Sequence, residues 1–306
     1  MAEVVTQEDL IEKNSPPQPT EVGAPHYIDE LSWLEFQVAV AREALNRLSE
    51  AAKDLVDGSG RREKRVHGMR IAFRRWYSVW SVLSQEGFES KSFKKKLGRK
   101  IKRTYKLLGS VRDWDVTLNQ AEKFDVPLEI RSKWHDQRDR VATESRAELK
   151  KLDVKRLIKK LHKYIDERSN KLVKRNTGET RYNDIARVAI EIYLLRQEVK
   201  TQELANRAQS LKDLHNLRLA IKAWRYLLVD FYGHTSEELV EAQQILGQII
   251  DLERMRKLLA DEDQTLASDC TNRIVDRQRE LIGQLDSMKE SLPYGIRPEE
   301  DEVLVS

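Results

Sequence analysis

The chain has 306 residues, with 55 Lys+Arg against 51 Asp+Glu and a formal net charge of +4. A hydrophobic share of 40%, with 12 Gly and 7 Pro, excludes a collagen-like or Pro/Gly-rich disordered chain and favours long helices over a turn-rich β protein. Cys270 is the single cysteine, which excludes an intrachain disulfide and an all-cysteine metal site, and no apolar run approaches the roughly 20 residues of a membrane span.

The first 25 residues include Asn14-Ser15-Pro16-Pro17 and lack apolar periodicity, so 1–25 reads as a disordered N-terminal tail. It is acidic and has neither the basic start nor the apolar centre of a signal peptide, so a cytoplasmic location is expected. From about Tyr27, Leu31, Leu34, Val38, Ala41, Leu45 and Leu48 follow a helical rhythm that Asp57-Gly58-Ser59-Gly60 ends. Further helices are expected over 62–85, 92–123 and 127–175, with a seam at Asn176-Thr177-Gly178. Beyond the seam the pattern predicts helices over 180–209, 212–232, 236–263 and 266–290, before a C-terminal tail over 293–306. No strand-length alternation bounded by turns occurs, so the fold class is all-α.

Charge is distributed very unevenly. Residues 61–110 hold 16 Lys/Arg and 3 Glu, a net +13, while the remaining residues hold 39 basic and 48 acidic side chains, a net −9. Clustered charge of one sign concentrates the opposite sign and implies an anionic partner.

Two blocks recur in the same order. Val66-His67-Gly68-Met69-Arg70-Ile71-Ala72-Phe73-Arg74-Arg75-Trp76 aligns with Leu214-His215-Asn216-Leu217-Arg218-Leu219-Ala220-Ile221-Lys222-Ala223-Trp224. Leu108-Gly109-Ser110-Val111-Arg112-Asp113-Trp114-Asp115 aligns with Leu246-Gly247-Gln248-Ile249-Ile250-Asp251-Leu252-Glu253. An internal duplication is the expected reading: two antiparallel four-helix bundles, about 27–175 and 179–292, related by a pseudo-twofold axis.

At about 100° per residue, His67, Arg70 and Arg74 form one line down a helix, and His215, Arg218 and Lys222 form the matching line. Ile71, Trp76, Leu219 and Trp224 are expected to anchor these helices. Both histidines are near their helix starts, where free N–H groups and the dipole favour an anion. Arg grips phosphate oxygens with paired donors, Lys acts as a point charge, and His adds a donor that strengthens when protonated. The third helix adds Lys94, Lys95, Lys96, Arg99, Lys100, Lys102, Arg103 and Lys106 with no acidic residue among them. Lys150, Lys151, Lys155, Arg156, Lys159, Lys160 and Lys163 extend the basic surface.

The order His-x-x-Arg-x-Ala-x-Arg/Lys, then Leu-Gly-x-Φ-x-Asp-Φ-Asp/Glu, twice in one helical chain resembles the CHAD family, the conserved histidine α-helical domain. The resemblance spans about 27–292. It implies two four-helix bundles around a basic central cavity that binds inorganic polyphosphate. His67, Arg70, Arg74, Arg75, His215, Arg218 and Lys222 would line it, joined by Lys96, Arg99, Lys100, Arg103 and Lys106. Ala223 replaces Arg75 in the second copy, so that contact is lost there. Family members are often fused to a triphosphate-tunnel domain marked by Glu-x-Glu-x-Lys, a motif this sequence lacks.

A lone histidine near a helix start usually caps or packs, and a lone basic run is usually a solvated face. Duplication and uncompensated charge favour ligand contact instead. Asp113, Asp115, Asp251 and Glu253 either hold Mg²⁺ or orient neighbouring cations, with the second role preferred because bare carboxylates repel phosphate. Gly109 and Gly247 are assigned to close helix approach, and Trp76, Trp80, Trp114 and Trp224 to the core. His135-Asp136 lacks the other ligands of a metal-dependent phosphohydrolase. The expected function is non-catalytic polyphosphate binding, with targeting to polyphosphate granules, no catalytic residues, no metal and no cofactor. A nucleic-acid-binding protein and a phosphate-cleaving enzyme using the acidic pairs remain as alternatives.

Overall fold

A computed structural model describes residues 33–57, 62–84, 93–175, 179–233 and 235–294. Among these residues the structure is helices joined by short connections, with no strand: α1 (Trp33–Asp57), α2 (Arg62–Leu83), α3 (Arg99–Lys123), α4 (Leu128–Leu152), α5 (Val154–Arg175), α6 (Glu179–Arg207), α7 (Leu211–Tyr232), α8 (Glu237–Ala260) and α9 (Gln264–Met288). The expected tail over 1–25 lies outside the described residues.

Local chemistry accounts for several boundaries. Ser210 caps α7 by accepting from Asp213 N while the Asp213 carboxylate accepts from Ser210 N, a reciprocal capping box. Ser236 caps α8 through Leu239 N, and Asp263 caps α9 through Thr265 N. Gly233, at φ 68°, ends α7 in the left-handed conformation that glycine adopts without a Cβ penalty. Ahead of α3 the backbone makes one wide π turn over Lys94–Gly98. Phe93 at its start stacks on Trp80 with ring centroids 4.2 Å apart.

The single helical stretch expected over 127–175 is two helices. The break falls at Asp153, which takes φ 48° and ψ 70°. Its carboxylate accepts from Arg156 N at 3.1 Å and so starts α5. Asp is among the few residues that tolerate the left-handed region, because its short side chain can bond the local backbone. No Gly or Pro marks the site in the sequence.

Packing follows one order in both halves. α1 packs on α2, α2 on α3 and α3 on α4; likewise α6 packs on α7, α7 on α8 and α8 on α9. Contacts also cross between the halves, α1 with α6, α2 with α7 and α3 with α8. Short connections keep successive helices antiparallel. The first half has α5 in addition, laid against α1, α3 and α4.

The core runs through both halves without interruption. Val38, Ala41, Leu45 and Leu48 of α1 are buried, as their spacing predicts, together with Trp76, Trp80 and Trp224. Two anchoring expectations need correction: Leu219 is 54% exposed and Ile71 only partly buried. Both flank the cationic line rather than the apolar stripe of their helices. Beyond α9, Tyr294 stacks on Trp224 with centroids 5.8 Å apart, so the chain is still docked at the start of the expected C-terminal tail.

Candidate functional site

The four helices α2, α3, α7 and α8 bring the two lines of cations together. Arg70 and Arg74 from α2 act electrostatically on Arg218 and Lys222 from α7, and Lys222 in turn acts on His67. Arg112 of α3 joins them, adding to the lowering of His67 and Arg70 that burial begins, and opposing the burial that raises the Asp251 carboxyl. The residues are thus one constellation shared by both halves.

Each half seats its arginine in the same way. A Cβ added at Gly109 would lie 2.7 Å from Arg70 Nη1, and one at Gly247 would lie 3.3 Å from an Arg218 amino nitrogen. These glycines therefore make room for a guanidinium, which refines their expected role in helix approach. Asp113 Oδ1 lies 4.0 Å from Arg70 Nη1, while Asp251 exerts the corresponding pull on Arg218.

Burial and mutual repulsion work against these charges. Arg70 is lowered, first by burial and then by Arg74 and Arg112, with Tyr105 and Asp113 opposing. Arg218 is lowered by burial and by Arg74 and Arg70, with Asp251 opposing. Lys222 is only 8% exposed. Its ammonium is pushed well below the usual lysine value by burial, Arg74 and Arg218. Arg74 behaves oppositely: burial disfavours its charge, yet Tyr226 and Tyr105 outweigh that and raise it. Arg74 Nη2 donates to the Tyr105 hydroxyl at 3.0 Å, and Arg70 lies over the Tyr105 ring at 5.2 Å.

Hydrogen-bonding capacity is left over on both sides of the site. Arg70 Nη1 and Arg218 Nε are buried and have no hydrogen-bond partner. A buried donor without an acceptor costs about 1–3 kcal/mol, and these two belong to residues at equivalent positions of the two halves.

His67 differs from its expected role. Burial lowers it to about 4, with Arg112, Arg74, Arg70 and Lys222 adding to the shift, so at neutral pH it is an uncharged donor or acceptor. His215 is lowered too, by burial and then by Arg218 and Lys222. Both residues lie beyond the first helical turn, since α2 begins at Arg62 and α7 at Leu211. The unpaired N–H groups of a helix start are therefore not at these histidines.

Other expected members lie elsewhere. Arg75 donates from Nε to Asp230 Oδ1 at 2.9 Å across the α2–α7 contact. Burial raises that carboxyl to about 6, against the pull of Arg75. Arg103 pairs with Glu148 of α4, and Lys96, Arg99, Lys100 and Lys106 are exposed. On α3, at about 100° per residue, Lys102 and Lys106 stay within about 60° of Gly109, whereas Lys100 and Arg103 turn to the far side; Lys96 lies in the π turn ahead of that helix.

The acidic residues engage cations rather than one another. Arg254 Nη1 of α8 pairs with Asp113 Oδ2 at 2.9 Å and lies over the Trp114 ring at 5.7 Å. Arg138 holds Asp115 at 2.9 Å. Arg256 and Lys257 hold Glu253 at 2.8 Å and 3.4 Å. Among the described residues no group of three or more His, Cys, Asp or Glu is placed to hold a metal ion. Sequence reasoning passed over Tyr105, Arg112, Tyr226 and Arg254. Arg112 was visible inside the repeated block, but Ile250 occupies the matching position. Arg254 has Val116 as its counterpart, so the repeat gave no signal for it.

An all-α fold in which two helical halves face each other across a shared cation cluster defines the class. Residues 39–260 match the CHAD domain family, and the chain belongs to it. The fold is similar to the crystal structure of the CHAD domain from the plant Ricinus communis, with a TM-score of 0.62 at 18% identity, covering 86% of this chain and 93% of that one. It is also similar to PptA from Streptomyces chartreusis, with a TM-score of 0.60 at 10% identity, covering 85% of this chain and 99% of that one. No curated protein matches by sequence. Among the described residues no helix is long and apolar enough to cross a membrane.

Proposed function

We propose that this chain is a non-catalytic module that binds inorganic polyphosphate at the cluster formed by Arg70, Arg74, Arg112, Arg218 and Lys222. The observation that carries the reading is the convergence of buried cations from both halves, Arg70 and Arg74 with Arg218 and Lys222, in which Arg70 Nη1 and Arg218 Nε lack a hydrogen-bond partner. A linear polyanion satisfies donors on both sides of the cluster at once and relieves the repulsion among its cations. Bidentate guanidinium–phosphate contacts hold successive phosphates, and the uncharged His67 and His215 donate at the edge. Membership of the CHAD family and the two blocks of His, Arg and Lys support the same ligand. Its placement on polyphosphate granules follows from that affinity.

The test is a titration with long-chain polyphosphate over a range of salt, with duplex DNA as competitor. Tight binding that DNA barely displaces is expected, and Arg70→Glu combined with Arg74→Glu removes it while helicity is kept. Equal displacement by DNA, with a steep loss on adding salt, would replace this reading with a general polyanion surface. Release of orthophosphate by the purified protein in the presence of a divalent metal would overturn the non-catalytic part.

A further inference from the structure

Helix α6 is apolar on two sides. Its inner side carries Ile190, Leu194, Thr201 and Ala205, all buried at 3% exposure or less, and packs on α1, α2 and α7. Its outer side carries Val188, Ile192, Leu195 and Val199, which are 46%, 42%, 45% and 45% exposed. The two sets are centred about 140° apart around the helix axis. An exposed apolar residue taken singly is ordinary. Four in one line, spaced four, three and four residues apart, are a seam of the 3.5-residue period by which one helix packs along another.

We infer that this outer face of α6 is a self-association surface, on which α6 of a second copy of the chain packs in parallel about a twofold axis. The residue types select the occupant. Ile192 and Val199 take the a positions and Leu195 the central d position, as in a two-stranded parallel pair, with Val188 at the outer d position. The flanking charges select the direction. Glu191 and Arg196 border the seam on opposite sides, five residues apart. In a parallel pair Glu191 of each chain faces Arg196 of the other, giving two symmetry-related ion pairs. In an antiparallel pair each flank would face its own kind and set like charges together. Arg196 is available for this, since it forms no ion pair with another described residue. Glu191 exchanges its contact with Arg187, an exposed i, i+4 pair at 2.9 Å, which is worth little in water.

The seam from Val188 to Val199 is about 16 Å long. Association is therefore modest and concentration-dependent, and a self-complementary patch of this kind closes as a dimer. The cation cluster is not part of this face, so the inference stands or falls independently of the polyphosphate reading.

Sedimentation equilibrium of the full chain, extended to about 1 mM, decides the matter. The expected result is a monomer–dimer equilibrium that Leu195→Lys shifts wholly to monomer, with helicity by circular dichroism unchanged. Arg196→Glu places Glu opposite Glu191 and weakens the dimer about tenfold. Adding Glu191→Arg to that variant restores it, which a generally damaged fold would not do. A wild-type chain monomeric at every concentration overturns the inference. So does a dimer whose mass is indifferent to Leu195→Lys, or an affinity indifferent to the charge exchange.

Discussion

The Arg70 guanidinium rests on the backbone of Gly109, so closely that a methyl group there would sit 2.7 Å from Nη1. A glycine in mid-helix costs about 1 kcal/mol relative to alanine. Here that cost secures the position of the Arg70 guanidinium. Gly109→Ala is accordingly expected to leave the fold intact or raise its stability by up to about 1 kcal/mol, because the obstructing group is the movable end of Arg70. Polyphosphate affinity falls all the same, since Arg70 is pushed from its seat. Gly247→Ala, with 3.3 Å available, should do less. Thermal melts and binding titrations of the two variants, measured together, separate stability from affinity.

Asp113 is the carboxylate most exposed to an incoming anion. Arg254 holds it at 2.9 Å, with Arg70 at 4.0 Å. If its role is to orient those arginines, the negative charge is still a cost to anion binding. Asp113→Asn is expected to tighten polyphosphate binding several-fold, and Arg254→Ala to weaken it by leaving Asp113 to compete for Arg70. A loss of affinity in Asp113→Asn would mean that positioning outweighs repulsion.

His67 provides a pH signature. Its folded pKa of about 4 lies below the ordinary 6.5, so between these values the unfolded chain binds the proton and the folded chain does not. The stability this contributes is complete above pH 6.5 and is lost as pH falls toward 4. Asp230, raised from 3.8 to about 6, acts in the opposite sense between those values, so a bulk melt mixes the two. A site-resolved NMR titration avoids the mixing. Without ligand, His67 titrates near 4; with polyphosphate the added negative charge shifts its pKa upward, and affinity therefore rises as pH falls. An unmoved His67 pKa in the complex would place the anion away from α2.

The fold was legible because its signals are local and redundant. The three-to-four apolar rhythm of Val38, Ala41, Leu45 and Leu48, and the end of α1 at Asp57, required no tertiary information. The break at Asp153 was hidden, since only its backbone conformation and its bond to Arg156 N reveal it. Equivalence between the two blocks singled out Arg70, Arg74, Arg218 and Lys222, which the fold brings into one cluster. Repeat logic was blind where the halves differ, as at Arg112 and Arg254. Arg75 misled for a different reason: on a helix it is adjacent to Arg74, but about 100° of rotation turns it to Asp230. Whether a cation is free or already paired depends on a partner 155 residues away, and no local pattern carries that.

The basic residues of α3 also divide in a way the sequence does not show, and the division can be measured. Lys102 and Lys106 continue the face that carries Gly109 and Asp113, whereas Lys100 and Arg103 turn away, Arg103 already paired with Glu148. Lys102→Glu with Lys106→Glu is expected to weaken polyphosphate binding by about tenfold, about 0.7 kcal/mol for each lysine. It should also reduce the dependence of affinity on salt, since fewer counterions are released on binding. Lys100→Glu with Arg103→Glu carries the same formal charge change and is expected to cost about twofold or less, because its effect reaches the cluster only through solvent that screens it. Equal losses in the two pairs would mean that the protein responds to total charge, and that the polymer lies over the whole surface of α3 instead of entering between the halves.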